Sequence, residues 1–299
     1  MSKGKIVIIA AALFVLFGFK SDVEKVIHII EAIGREWKEN NIHLSGRAAV
    51  LMDRDTGDLI FSKNPYEKLF PASTTKILTA LVVIEYGNLD DKIKVGKEVN
   101  MRKSDESAAG IYEGQVLSVR QLLSGLMLAS GNDAARTLAI YTAKRINNDK
   151  ALSNQEALIY FADEMNKKAH QLGTKNSHFV NPHGLHDPKH YTTAYDMAII
   201  ARAAMKNPYF SEIVSKNIYS DKTLTFQNRN KLIDEESDYF YKGANGIKTG
   251  HTSAAGYCLV SSAAKNERNL IAVVLNSSEQ EIWNDSISLL DQGFSLAKK

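Results

Sequence analysis

Apolar residues fall into two kinds of run along this chain. Ile77, Leu78, Ala80, Leu81, Val82, Val83 and Ile84 are apolar on every side of a helical wheel, which predicts a helix buried all round. Gly87 is the expected C-cap of that helix. Over 117–129 the pattern is one-sided, with Val119, Leu122, Leu123, Leu126 and Met127 sharing a face. Asp133 opens a further helix through Ala134, Leu138, Ile140 and Tyr141. Helical spacing returns over 161–172, stopped by Gly173, and over 193–205, stopped before Asn207-Pro208.

The ends of the chain read differently. Residues 257–263 and 270–276 are apolar, β-prone runs around the polar turn Lys265-Asn266-Glu267-Arg268. They predict an antiparallel hairpin. Residues 46–53 and 58–62 read as two strands joined by Arg54-Asp55-Thr56-Gly57. A short strand is expected over 93–99, and 281–296 is a closing amphipathic helix. The expected fold is α+β: one antiparallel sheet built from both chain ends, with a helical middle packed on it.

The first residues set a compartment. Lys3 and Lys5 precede an apolar run over 6–17, extended by Gly18 and Phe19 as far as Lys20. A basic start followed by such a run predicts a secretory signal or signal-anchor over 1–20. No small-x-small cleavage site follows, which favours an uncleaved anchor over a cleaved signal. The leading lysines keep that end in the cytoplasm and send the remainder outside, attached to the membrane through this segment or secreted if it is cleaved. Val23, Val26, Ile27, Ile30, Ile33 and Trp37 then fall at helical spacing. Residues 21–44 read as an amphipathic helical linker, either packed on the domain or lying at a membrane surface. The catalytic domain is expected over 45–299.

Composition excludes some chemistry. The net charge of +3 gives no argument for nucleic acid. The single cysteine, Cys258, allows no internal disulfide and lies in an apolar run, which predicts a buried strand thiol rather than a nucleophile.

Candidate chemistry gathers in three short motifs. In Ser73-Thr74-Thr75-Lys76, at the start of the buried helix, the lysine rises over the face that carries the serine. Burial disfavours an ammonium, so Lys76 is a candidate base for Ser73. S-x-x-K also starts at Ser2, Ser262 and Ser295, so the pair is weak alone, and a helix cap with a solvated lysine explains it equally. Ser130-Gly131-Asn132 sits between two predicted helices, where a tight turn would present both polar side chains; turn chemistry alone also accounts for it. Lys248-Thr249-Gly250 occurs once, before the strand that holds Cys258. Its glycines would let an extended ligand approach a sheet edge.

In this order the three are the motif set of penicillin-binding proteins and class A β-lactamases. With them the chain resembles the low-molecular-weight penicillin-binding proteins of the serine D-alanyl-D-alanine carboxypeptidase family. The likeness continues in Ala48-Ala49-Val50-Leu51-Met52-Asp53, in Phe179-Val180-Asn181-Pro182-His183-Gly184-Leu185, in Thr192-Thr193-Ala194-Tyr195-Asp196-Met197, in Asn228-Arg229-Asn230-Lys231-Leu232 and in Gly246-Ile247 before Lys248. The resemblance implies Ser73 as acylated nucleophile, Lys76 as general base and Ser130 as proton relay to the leaving amine. It implies Asn132 as partner of a substrate amide, and Lys248 with Thr249 as receptors of a terminal carboxylate. Gly250 belongs to the same substrate strand, and the backbone N–H groups of Ser73 and His251 complete an oxyanion hole. Implied partners are peptidoglycan stem peptides and, as covalent inhibitors, β-lactam antibiotics, with no cofactor and no metal. Many relatives carry a further C-terminal β-rich domain and an amphipathic membrane helix; this sequence departs from that pattern soon after its final helix, so the catalytic domain alone is expected.

Three other readings are weaker. A class A β-lactamase needs a loop glutamate to activate water, and Glu164 instead falls in a helical stretch. His183, His186, Asp187 and His190 could suggest zinc, but the first half of their loop matches the carboxypeptidase family. A wall-binding domain without activity would not need to keep Ser73, Lys76, Ser130, Lys248 and Thr249 together.

Overall fold

The computed structural model describes residues 42–103 and 105–296. The expected anchor over 1–20 and nearly all of the linker over 21–44 lie outside the described residues. Among the described residues no helix is long and apolar enough to cross a membrane.

Five strands form the main sheet: β1 (Ala48–Asp53), β2 (Leu59–Lys63), β7 (Ala244–Thr252), β8 (Gly256–Lys265) and β9 (Arg268–Ser277). Their order is β2-β1-β9-β8-β7, antiparallel throughout, so both chain ends supply it, as the sequence predicts. The β8–β9 hairpin closes on Asn266 and Glu267, both at positive φ, with Lys265 opposite Arg268. Two such residues match the strand twist.

Period-two alternation splits β9 between two layers. Ile271, Val273 and Leu275 join the large helical core. Leu270 instead faces α7 (Glu281–Ser295), where Gly293 lets the helix approach both Leu270 and Leu51. The helical layer holds α1 (Lys76–Tyr86), α2 (Val119–Met127), α3 (Asn132–Ile146), α4 (Asn154–Gln171), α5 (Ala194–Met205) and α6 (Pro208–Val214). Helix α1 packs against each of the other five, which is why its first eight residues are all buried. Two small antiparallel strand pairs complete the fold: β3 (Lys92–Lys94) with β4 (Val116–Ser118), and β5 (Ile218–Ser220) with β6 (Thr225–Gln227).

Several element ends differ from the periodicity reading. Helix α4 starts at Asn154, before the apolar face becomes regular, because Ser153 and Glu156 form a capping box. Asn207-Pro208 ends α5 and also opens α6: Asn207 Oδ1 accepts from the N–H groups of Tyr209 and Phe210. Gly87 follows α1 with φ of −85°, not in the left-handed region. Glycine is required there for space, since a Cβ would sit 2.6 Å from the Val83 carbonyl oxygen.

Candidate active site

Residues Ala72–Thr75 form one 3-10 turn that runs directly into α1. Ser73 is therefore half-buried on the turn and Lys76 is the first residue of the α-helix, with no exposed surface. Ser73 caps nothing with its side chain. Instead its Oγ lies 2.9 Å from Lys76 Nζ.

Lys76 Nζ has two further partners, Asn132 Oδ1 at 2.7 Å and the carbonyl of His183 at 2.8 Å. An ammonium would donate to all three. A neutral amine has two N–H bonds and one lone pair. The Asn132 and His183 oxygens can only accept, so they take the two N–H bonds and leave the lone pair facing the Ser73 hydroxyl. Burial pushes the Lys76 pKa well below the ordinary lysine value, and the positive charges of Lys248, Arg229 and Arg136 push the same way against Asp133.

The second motif bends as a turn must. Ser130 has φ of +62°, and Gly131 caps the N-terminus of α3, whose first residue is Asn132. Both Ser130 and Asn132 are almost fully buried. Asp133, the next residue, accepts from the backbone N–H groups of Ala109, Gly110 and Ile111 and thereby shapes the loop facing this turn.

The third motif lies on β7, an edge of the sheet. Gly250 passes so close to the 3-10 turn that a Cβ would lie 3.0 Å from the Ser73 nitrogen. Ser73, Ser130, Thr249, Gly250 and His251 line one cleft of about 300 Å³, together with Arg229. Ser73 and His251 also line an adjoining cleft of about 430 Å³ with Asn132 and Leu185. Lys248 is buried behind this surface, and its Nζ donates to the Thr249 carbonyl at 3.0 Å rather than to Ser130. Burial and Arg229 bring its pKa down to about 7.

Four contributors lie outside the three motifs. The His183 carbonyl comes from a loop more than a hundred residues beyond Lys76. Arg229 donates to Ser107 Oγ at 2.8 Å across the cleft. Glu106 accepts from Asn132 Nδ2 at 3.1 Å and from Arg136 Nη2 at 2.7 Å. Of these, Arg136 carries a readable signal, since it stands four residues after Asn132 on the same helix.

The alternative assignments find other uses for their residues. Glu164 is inside α4 and pairs with Lys167 at 2.7 Å. His190 Nδ1 accepts from the Val180 N–H, so its Nε2–H points to Thr75 Oγ1 at 2.9 Å. The described residues hold no group of three or more His, Cys, Asp or Glu placed to bind a metal ion. Cys258 is buried in β8, which pushes its thiol up to about 12.

Known proteins are similar to this chain in sequence and in fold. D-alanyl-D-alanine carboxypeptidase DacF of Bacillus subtilis is 37% identical over 262 residues, covering 83% of this chain and 62% of the relative. DacB2 of Mycobacterium tuberculosis is 33% identical over 255 residues, covering 83% of this chain and 81% of the relative. The chain thus spans 62% of DacF and 57% of the Escherichia coli carboxypeptidase DacD. Among solved structures, a Streptomyces DD-transpeptidase superimposes with a TM-score of 0.78 at 32% identity, covering 86% of this chain and 99% of the other. The sequence profile described as D-alanyl-D-alanine carboxypeptidase matches residues 36–279, and the chain belongs to that family, peptidase family S11.

Proposed function

We propose that this chain is a serine-type D-alanyl-D-alanine carboxypeptidase that removes the terminal D-alanine from peptidoglycan pentapeptides and is acylated by penicillin. The observation that carries the reading is the buried Lys76 amine, 2.9 Å from the Ser73 hydroxyl, with its ammonium form disfavoured.

In the acylation step Lys76 Nζ takes the Ser73 proton as the Oγ–carbon bond forms. The oxyanion is received by the backbone N–H groups of Ser73 and His251. The amide C–N bond then breaks, and the proton passes from Lys76 through Ser130 to the departing nitrogen of D-alanine. Lys248, buried behind Thr249, supports that transfer electrostatically. The substrate's terminal carboxylate lies against the Thr249 hydroxyl, with Arg229 supplying a second cation to the same cleft. One N–H of the Asn132 carboxamide is held by Glu106, which leaves the other for a substrate carbonyl. Water finally attacks the ester, its proton returns to Ser73 Oγ, and the shortened peptide leaves.

The cell-wall substrate places the reaction outside the cytoplasm. The basic start and apolar run over 6–17 support retention at the outer face of the membrane through an uncleaved N-terminal segment. Intact-mass measurement tests the chemistry. The expected results are loss of one alanine from a pentapeptide and a penicillin adduct on Ser73; neither product from folded protein overturns the reading.

A further inference from the structure

We propose that Glu106 is a positioning residue for acylation: its carboxylate, held by Arg136, fixes the orientation of the Asn132 carboxamide and thereby the direction of the Lys76 lone pair. The inference rests on the serine mechanism proposed above and adds a residue that none of the three motifs contains.

The chemistry of a carboxamide creates the need. Its oxygen only accepts and its NH₂ only donates, yet the two ends have nearly the same shape. With Oδ1 toward Lys76, Asn132 takes one of the amine's N–H bonds. Turned over, its NH₂ would donate to the lysine lone pair and occupy the electrons that must accept the Ser73 proton. The orientation of this one amide therefore decides whether Lys76 is available as a base.

Glu106 settles that orientation. An ionised carboxylate only accepts, so it can hold only the Nδ2 end of Asn132. The same oxygen accepts from Arg136 Nη2, and the Lys103 N–H donates to the other oxygen at 3.2 Å. The Glu106 and Arg136 side chains are 3% and 5% exposed, so the pair is a buried ion pair. Burial works against the Glu106 charge, but hydrogen bonds from Arg136 and Asn132 prevail and hold its pKa below the ordinary value. Asn132 and Arg136 stand one turn apart on α3, and Glu106 faces both from the segment that joins β3 to β4. A buried ion pair is weak as a stabilising device. Its geometric consequence is an amide with one allowed orientation.

The test compares the second-order rate constant for penicillin acylation in wild type, Glu106→Gln and the double variant Glu106→Gln/Arg136→Gln. Glutamine both donates and accepts, so it no longer dictates the amide orientation. The double variant removes the unpaired arginine if the single one folds poorly. Labelling time courses give a rate constant per active site, independent of how much protein is folded. Both variants are expected to acylate more slowly at the pH plateau by about 10²-fold, the loss typical of a slightly misplaced catalytic group.

The pH profile separates this role from a packing role. Lys76 is surrounded by Lys248 on β7, Arg229 on the loop before it, Asp133 and Arg136 on α3, and His183 on the loop before α5. Removing only the Glu106 charge leaves Arg136 uncompensated and disfavours the Lys76 ammonium further. The acid limb of the single variant should therefore move to lower pH and return towards the wild-type position in the double variant. A wild-type plateau rate in either folded variant, or an unmoved limb in the single one, overturns the proposal. A wild type that penicillin does not label would instead overturn the serine mechanism itself.

Discussion

The carbonyl of His183 accepts a hydrogen bond from Lys76 Nζ across 107 residues of sequence. Its loop is fixed to α1 at a second point, where Thr79 Oγ1 donates to the Pro182 carbonyl at 2.7 Å. Asn181 Oδ1 accepts from the N–H groups of His183 and Gly184 and tightens the loop from within. The contact that this loop makes beside Ser73 is thus through backbone, and side-chain motifs do not reveal it.

Gly184 shows how closely that loop fits. Its φ is +85°, and a Cβ would overlap the Ala72 carbonyl, one residue before Ser73. Gly184→Ala is therefore expected to destabilise the protein by about 1–3 kcal/mol, the range for forced backbone strain. It should also slow acylation, because the loop must retreat and carry the His183 carbonyl away from Lys76. Thermal unfolding and penicillin-labelling rates check both effects. An unchanged labelling rate would show that the His183 carbonyl does not orient the base.

Legibility in the sequence follows the physics of each element. β8 and β9 read clearly because their central residues are buried on both faces and mostly apolar, with Ser261 and Ser262 the polar exceptions in β8. The buried character of α1 reads for the same reason. Helix starts read poorly from apolar periodicity alone, because a cap is a polar event: Ser153 and Glu156 open α4 before its apolar face is established. The geometry joining Ser73 to Lys76 follows from i, i+3 spacing and is legible. The link from Lys76 to Asn132 is tertiary and lies outside both the spacing and the roles that the family resemblance implies. Glu106 is illegible in another way: it lies in a loop with no hydrophobic period, and its partners Asn132 and Arg136 are 26 and 30 residues away.

Lys248 links the site to stability. Its pKa is lowered to about 7 in the folded protein, mainly by burial and then by Arg229. Below about 7 both folded and unfolded forms are protonated, and the full penalty of burying the charge is present. Between about 7 and the ordinary lysine value of 10.5 the unfolded chain binds more protons, so this term makes stability rise with pH. Lys248→Met keeps the apolar stem without the charge. It is expected to raise stability at pH 6 by about 1–4 kcal/mol, with the gain shrinking as pH approaches 10, and to lose most activity. Denaturant unfolding at both pH values checks this; a gain independent of pH would remove the charge from the explanation.

Thr249 tests substrate selection. It lines the cleft with Arg229 and Ser130, where a peptide ending in a free carboxylate would place that group. Thr249→Val preserves the shape and removes the donor. The expected loss in kcat/KM is about 1.5–3 kcal/mol for a free-acid peptide, the range for a hydrogen bond to a charged group. An amidated peptide should lose much less. Equal losses on the two peptides would assign Thr249 another role.

The fate of the acyl-enzyme separates this site from a β-lactamase. In the proposed mechanism acylation uses Ser73, Lys76 and Ser130; the two serines line one cleft, and Lys76 is hydrogen-bonded to Ser73. Deacylation needs an activated water, and a β-lactam leaves its amine tethered to the adduct. Glu164, the residue nearest in sequence to the role of a dedicated base, is held in α4 by Lys167 and does not line either part of the cleft. Penicillin should therefore acylate Ser73 and hydrolyse slowly. Ser73→Ala is expected to abolish peptide cleavage and labelling together. Lys76→Ala should lose nearly as much, since members of a cooperating set are not additive. Ser130→Ala should retain more, because water can replace a proton relay more readily than a nucleophile or its base. Intact-mass time courses read all three variants. Rapid multiple turnover of penicillin by the wild type would overturn the expectation of slow hydrolysis, and full activity in Ser73→Ala would end the serine mechanism.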